Sequence, residues 1–117
     1  MQYLLLIYGA ESTQAEMTPD QAAAYIGDYR SFTADIIASG EFKAGEALDQ
    51  ISTATSVRVR DGKTLLTDGP FAETREALGG YYLINAEDLD EATAIAARIP
   101  TAQTGTIEVR PVMEYPE

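Results

Sequence analysis

Tyr3-Leu4-Leu5-Leu6-Ile7-Tyr8 is apolar at its odd and its even positions alike. In a strand these two sets point to opposite faces, so this segment reads as a strand covered on both sides. Leu78-Gly79-Gly80-Tyr81-Tyr82-Leu83-Ile84 reads the same way. Outward from these two strands the chain alternates in type. Thr18-Pro19-Asp20-Gln21 is a helix start: Thr18 caps, Pro19 suits the first helical position and Gln21 completes a capping box. Apolar residues then recur at Ala22, Tyr25/Ile26, Tyr29, Phe32 and Ile36, the spacing of one helical face, until Ser39-Gly40 ends it. Gly9 to Met17, before this helix, reads as a polar loop, and residues 42–48 as a short strand.

Residues 56–60 and 63–67 flank Asp61-Gly62, the two-residue signal of a hairpin with a type I′ turn. Asp68-Gly69-Pro70-Phe71 is a turn cluster, followed by the polar segment Ala72 to Ala77. Asp88-Leu89-Asp90-Glu91 opens a second helix through Leu89, Ala92, Ile95, Ala96 and Ile99, stopped by Pro100. Thr106 to Tyr115 alternates as a last strand. With the hairpin set aside the order is βαββαβ, an α+β, ferredoxin-like split βαβ arrangement with an inserted β-hairpin. Its central strands are 3–8 and 78–84. Two helices cover one sheet face only, so the apolar residues of the other need a cover, and a second copy of the sheet is the simplest. A homodimer is expected.

The 117 residues amount to one domain spanning 1–117, with 45% hydrophobic and 23% charged residues, an ordinary profile for a folded protein. Eight Lys and Arg stand against nineteen Asp and Glu, a net charge of −11. Such a balance opposes binding to a nucleic-acid backbone or an anionic membrane surface. No apolar run approaches the length of a membrane span, the start lacks a basic leader, and a cytoplasmic protein is expected. There is no Cys, His or Trp. Thiol nucleophiles, Ser-His-Asp triads and His- or Cys-ligated metals are therefore excluded within one chain. Carboxylates alone can still hold hard ions, but no cofactor or metal is expected.

The segment Thr67-Asp68-Gly69-Pro70-Phe71-Ala72-Glu73-Thr74-Arg75-Glu76, with Leu78 to Ile84 behind it, resembles the YCII-related, or DGPF-domain, family. The opening strand, Val57 to Lys63 and Ile107 to Met113 carry the likeness over almost the whole chain. The resemblance implies a dimeric α/β barrel. It also implies small bacterial proteins without assigned substrates, some encoded near or fused to sigma factors, with dehydrochlorinases and lactone-forming or lactone-opening enzymes among wider relatives. The family's site is a His–Asp pair, a His on the first helix and the Asp of the DGPF turn. Asp68 matches the second member, and the His position falls at Tyr29, within Asp28-Tyr29-Arg30-Ser31-Phe32.

Tyr titrates near ~10 and mostly donates a hydrogen bond, so any imidazole mechanism is lost while binding at the same place is not. Asp68 is the candidate base, and equally a candidate turn cap; Tyr29, opposite it across the interior, is a core residue that has to find a hydrogen-bond partner. Tyr8, Glu46 and Arg75 complete the candidate binding set, Glu46 from a strand and Arg75 from the mouth of the interior. Gly79-Gly80 marks a bulge or a close backbone approach. Two functions are compatible with these residues. One is a small-molecule-binding protein, catalytic through cofactor-free elimination or isomerisation. The other is a non-catalytic accessory module with a sigma-factor partner. A cofactor-free monooxygenase ranks last, on fold analogy alone.

Overall fold

A computed structural model describes residues 1–116. Its strands are β1 (Gln2–Gly9), β2 (Phe42–Ala47), β3 (Thr55–Arg60), β4 (Lys63–Asp68), β5 (Ala77–Asn85) and β6 (Thr106–Pro111). The helices are α1 (Glu11–Ala15), α2 (Pro19–Ala38) and α3 (Leu89–Ala96), with 3₁₀ turns at Ile51–Thr53 and Pro100–Gln103. The main sheet is antiparallel in the order β2-β5-β1-β6, which puts β5 and β1 at its centre, and β3 and β4 form a separate two-stranded sheet. This α+β topology is ferredoxin-like.

The helix boundaries follow local chemistry. Thr18 Oγ1 accepts from the Gln21 N–H at 3.2 Å while the Gln21 side chain accepts from the Thr18 N–H at 3.0 Å, so the capping box is complete. Gly40 follows the C-terminus at φ 91°, where a Cβ would be strained. Asp88 caps α3 by accepting from Glu91 at 2.9 Å. That helix ends at Ala96 rather than running to Ile99, because Pro100 holds the preceding residue extended, at ψ 129°. Two further boundaries differ from the sequence reading. The expected loop Gly9 to Met17 contains α1, tied at its start by Glu11, whose carboxylate accepts from the Ile51 N–H at 2.8 Å. β6 stops at Pro111, four residues before Tyr115, because its partner β1 begins there: Tyr3 lies opposite Pro111 and the Val112 N–H reaches Gln2 at 2.9 Å.

One sheet face is covered by α2 and α3. Tyr3, Leu5 and Ile7 of β1 and Tyr82 and Ile84 of β5 pack there with Phe32, Ile36, Ala92, Ile95, Ala96 and Ile99. Phe32 meets the Tyr82 ring edge-on at 5.2 Å, and Thr33 Oγ1 is 2.6 Å from the Tyr82 hydroxyl. Ile26, placed on the apolar stripe by spacing, is 52% exposed; Tyr25 takes the inward position. The opposite face has no cover. Leu4, Leu6 and Tyr8 stand there beside Leu83, Tyr81 and Leu78, their cross-strand partners, all half-buried.

The glycine pair of β5 has two separate jobs. Ile7 pairs with Gly80 and Tyr8 with Leu78, so Gly79 is the extra residue of a bulge, and its carbonyl accepts from the Leu48 N–H at 2.9 Å. A Cβ on Gly80 would lie 2.9 Å from the Glu46 carbonyl oxygen, so its place is a close approach of two backbones.

Candidate functional site

The C-terminal end of β1 gathers the polar groups. Behind it, on the helix side, the 3₁₀ turn brings Thr101 against Gly9 and Gly105, where a Cβ at Gly105 would collide with the Tyr8 carbonyl. Thr101 is 6% exposed, and its hydroxyl is hydrogen-bonded to both the Tyr25 and the Tyr29 hydroxyls, the latter at 2.5 Å. The two phenol rings meet edge-on, 5.2 Å between centres. Burial pushes the Tyr29 phenol above the ordinary tyrosine range; its bond to Thr101 works against this, and the neighbouring Tyr25 adds to it. Tyr29 therefore stays a proton donor throughout the physiological range.

In front of the same strand end, on the uncovered face, Tyr8 lies opposite Thr106 of β6. The Thr106 hydroxyl donates to the Glu76 carboxylate at 2.7 Å, which holds the segment after the DGPF turn against β6. Glu46 is on this face too, opposite Tyr81 and exposed to solvent. Arg75 is exposed on the connecting loop, and among the described residues the one ion pair joins Arg98 to Asp35 at 3.8 Å.

Asp68 ends β4, opposite Thr55, and is exposed. Its turn is closed by other groups: the Gly69 N–H donates to the Ala54 carbonyl at 2.7 Å, and Ser56 donates to the Gly69 carbonyl at 2.8 Å. Gly69 itself sits at φ 97°, a conformation that side chains resist. Among the described residues no backbone N–H donates to the Asp68 carboxylate, so the turn forms without it. The expected pairing of Tyr29 with Asp68 is replaced within one chain by the pairing of Tyr29 with Thr101. The physical reason is placement: Tyr29 faces the helix side of the sheet, whereas Asp68 is carried on the separate hairpin.

The structure thus brings Tyr8, Glu46 and the Glu76–Thr106 pair to one face, keeps Tyr29 behind it, and leaves Asp68 and Arg75 on the segments that leave the sheet. Thr101 and the Glu76–Thr106 bond went unread in the sequence. Their partners lie 76, 72 and 30 residues away, and a lone Thr after Pro100 carries no local signal beyond a turn. Chemically the set is one of hydroxyls and carboxylates, suited to hydrogen-bonding an oxygenated small molecule and to proton transfer by a carboxylate. Among the described residues no group of three or more acidic side chains is arranged to hold a metal.

Comparison with known proteins places the site in context. The family model for the YCII-related domain matches residues 1–116. An uncharacterized protein of Rhizobium meliloti (strain 1021) is 33% identical, over 98% of this chain and 94% of its own length. Among solved structures, the 5-chloro-2-hydroxyhydroquinone dehydrochlorinase TftG from Burkholderia phenoliruptrix AC1100, in complex with 2,5-dihydroxybenzoquinone, superposes with a TM-score of 0.50. Its identity is 13%, and the match covers 98% of this chain and 96% of that one. At that identity the likeness is one of fold.

Proposed function

The chain belongs to the YCII-related domain family, and from that premise we propose that it is a one-domain, cytoplasmic protein that binds a small molecule between two copies of itself. The observation that carries this reading is the uncovered sheet face. Six half-buried apolar side chains, Leu4, Leu6, Tyr8, Leu78, Tyr81 and Leu83, line its middle, with Glu46, Glu108 and Thr106 at its margins. Two such faces packed together make the dimeric α/β barrel and enclose an apolar interior with polar groups at its ends. A flat oxygenated ring, the kind of molecule bound to TftG, suits an interior of this type.

If the bound molecule is turned over, the chemistry is cofactor-free. Asp68 takes a proton from carbon, and the electron pair left behind expels a leaving group or shifts a double bond. Tyr29, bonded to Thr101 on the helix side of the sheet, lies behind this interior and is not among the groups that face it. A thermal-shift series with oxygenated aromatic rings, 2,5-dihydroxybenzoquinone included, tests the reading on wild type and Asp68→Asn. The expected result is a rise in the wild-type melting temperature that the variant lacks, with the two ligand-free proteins melting within a few degrees of each other. Equal shifts in both proteins, or none in either, overturn it. A large loss of stability in Asp68→Asn makes the carboxylate a structural group.

The absence of His favours a second reading, a non-catalytic accessory module. Its partner is then a protein with a basic surface, complementary to the −11 charge, such as a sigma factor.

A further inference from the structure

Resting on the ring-binding reading above, we propose that Glu46 and Tyr81 together recognise the bound molecule, and that its class is a ring carrying a free hydroxyl beside a second oxygen.

The phenols of the sheet and of α2 divide by side. On the helix side each one is hydrogen-bonded: Tyr3 to Met1 Sδ at 3.8 Å, Tyr25 and Tyr29 to Thr101, and Tyr82 to Thr33 at 2.6 Å. On the uncovered face Tyr8 and Tyr81 are half-buried, and among the described residues neither hydroxyl has a hydrogen-bond partner. A phenol that becomes covered has to find an acceptor, since otherwise it forfeits the bonds it made with water. Once two faces close on each other, these two hydroxyls turn to whatever lies between them.

Register supplies the complementary group. Opposed residues of antiparallel strands share a face, so the middle row of the uncovered face reads Glu46, Tyr81, Leu6, Glu108 from β2 to β6. The row beside it reads Ala44, Leu83, Leu4, Arg110. The two carboxylates of the middle row are not equivalent. Glu108 shares its strand face with Arg110, two residues on, and so has a cation close by. The residues in register around Glu46 are Ala44, Leu83 and Tyr81, none of them a cation. Such a carboxylate satisfies itself by accepting from O–H or N–H donors, and a molecule that displaces water from it has to bring one.

Tyr81, directly opposite, has the converse need. The two residues stand on adjacent strands, with Cβ atoms about 5 Å apart, and are not hydrogen-bonded to each other. A ring hydroxyl that donates to Glu46, next to a ring oxygen that accepts from Tyr81, satisfies both at once. Leu4, Leu6 and Leu83 then lie against the apolar faces of the ring. Asp68 keeps the separate part given to it above, so recognition and proton transfer fall to different carboxylates.

Isothermal titration calorimetry with catechol and 1,2-dimethoxybenzene tests the assignment on wild type, Glu46→Gln and Tyr81→Phe. Both rings carry the same pair of oxygens, but only catechol has O–H groups to donate. Wild type is expected to bind catechol at least tenfold more tightly than the diether. Glu46→Gln should weaken catechol at least fivefold and spare the diether, whereas Tyr81→Phe should weaken both rings. The two substitutions nearly preserve side-chain shape, and the comparison of the two rings on wild type needs neither. A smaller preference in wild type, or a smaller loss of catechol affinity in Glu46→Gln or none in Tyr81→Phe, overturns the inference and leaves ring binding between two copies standing. A wild type that binds neither ring overturns it as well, and the ring-binding reading falls with it when the thermal-shift series above also finds no ring that binds.

Discussion

At Thr101 one side-chain oxygen serves two phenols, in a place where almost no other polar side chain is buried. Three hydroxyls linked by two hydrogen bonds leave one O–H without an acceptor inside the cluster, so this corner always offers a donor to its surroundings. Tyr29, which the sequence likeness sets at a proton-accepting imidazole's position, is here part of a proton-donating group. The pH dependence follows from the raised Tyr29. In the unfolded chain the phenol titrates near ~10, and in the folded protein it holds its proton to higher pH. The folded state then binds more protons in that interval, so the stability tied to Tyr29 is fully present below pH ~10 and is lost as pH rises beyond it. Melting temperatures measured between pH 9 and 11 should fall for wild type, and fall less steeply for Tyr29→Phe. Parallel slopes in the two proteins mean that burial leaves this phenol untouched.

Elements whose signals are local were legible in the sequence. The capping box at Thr18 and Gln21 forms as read, and Asp61 at φ 52° with Gly62 at φ 74° gives the left-handed pair that Asp-Gly announces. Thr18→Ala removes one half of that cap and should cost about 1 kcal/mol of stability, read from denaturant unfolding with α2 otherwise intact. No loss means that the Pro19 start alone holds the helix end. What stayed hidden was whatever depends on distant partners. α1 has no apolar stripe for spacing to find, and its start is held by a hydrogen bond to Ile51. The end of β6 is set by where β1 begins, a fact absent from the alternation of Thr106 to Tyr115. The site divides in the same way. Asp68 was legible because its turn is a contiguous motif, whereas the partner of Tyr29 was not, since Thr101 reaches it only through the packing of a 3₁₀ turn against β1.

For the molecule as a whole, the decisive feature is that half of its sheet has no cover. Leu6 sits in the middle of that face, between Tyr81 and Glu108 on its neighbouring strands. Leu6→Glu introduces a carboxylate there without touching the helix-side core, so on the proposed two-copy arrangement it should give a monomer while leaving the far-ultraviolet circular dichroism of the fold in place. A dimer of wild-type affinity in this variant would move the interface elsewhere. The bulge at Gly79 has a different consequence. Its freed carbonyl holds Leu48, where the chain leaves β2, at the rung where the chain re-enters the sheet through Ala77 and Leu78. Everything from Asp49 to Glu76 is therefore an excursion with a fastened neck. Since closing a longer loop adds little once its ends are joined, that stretch can be shortened, lengthened or exchanged as a cassette, carrying the DGPF turn and its carboxylate with it, while the four-stranded frame keeps its register.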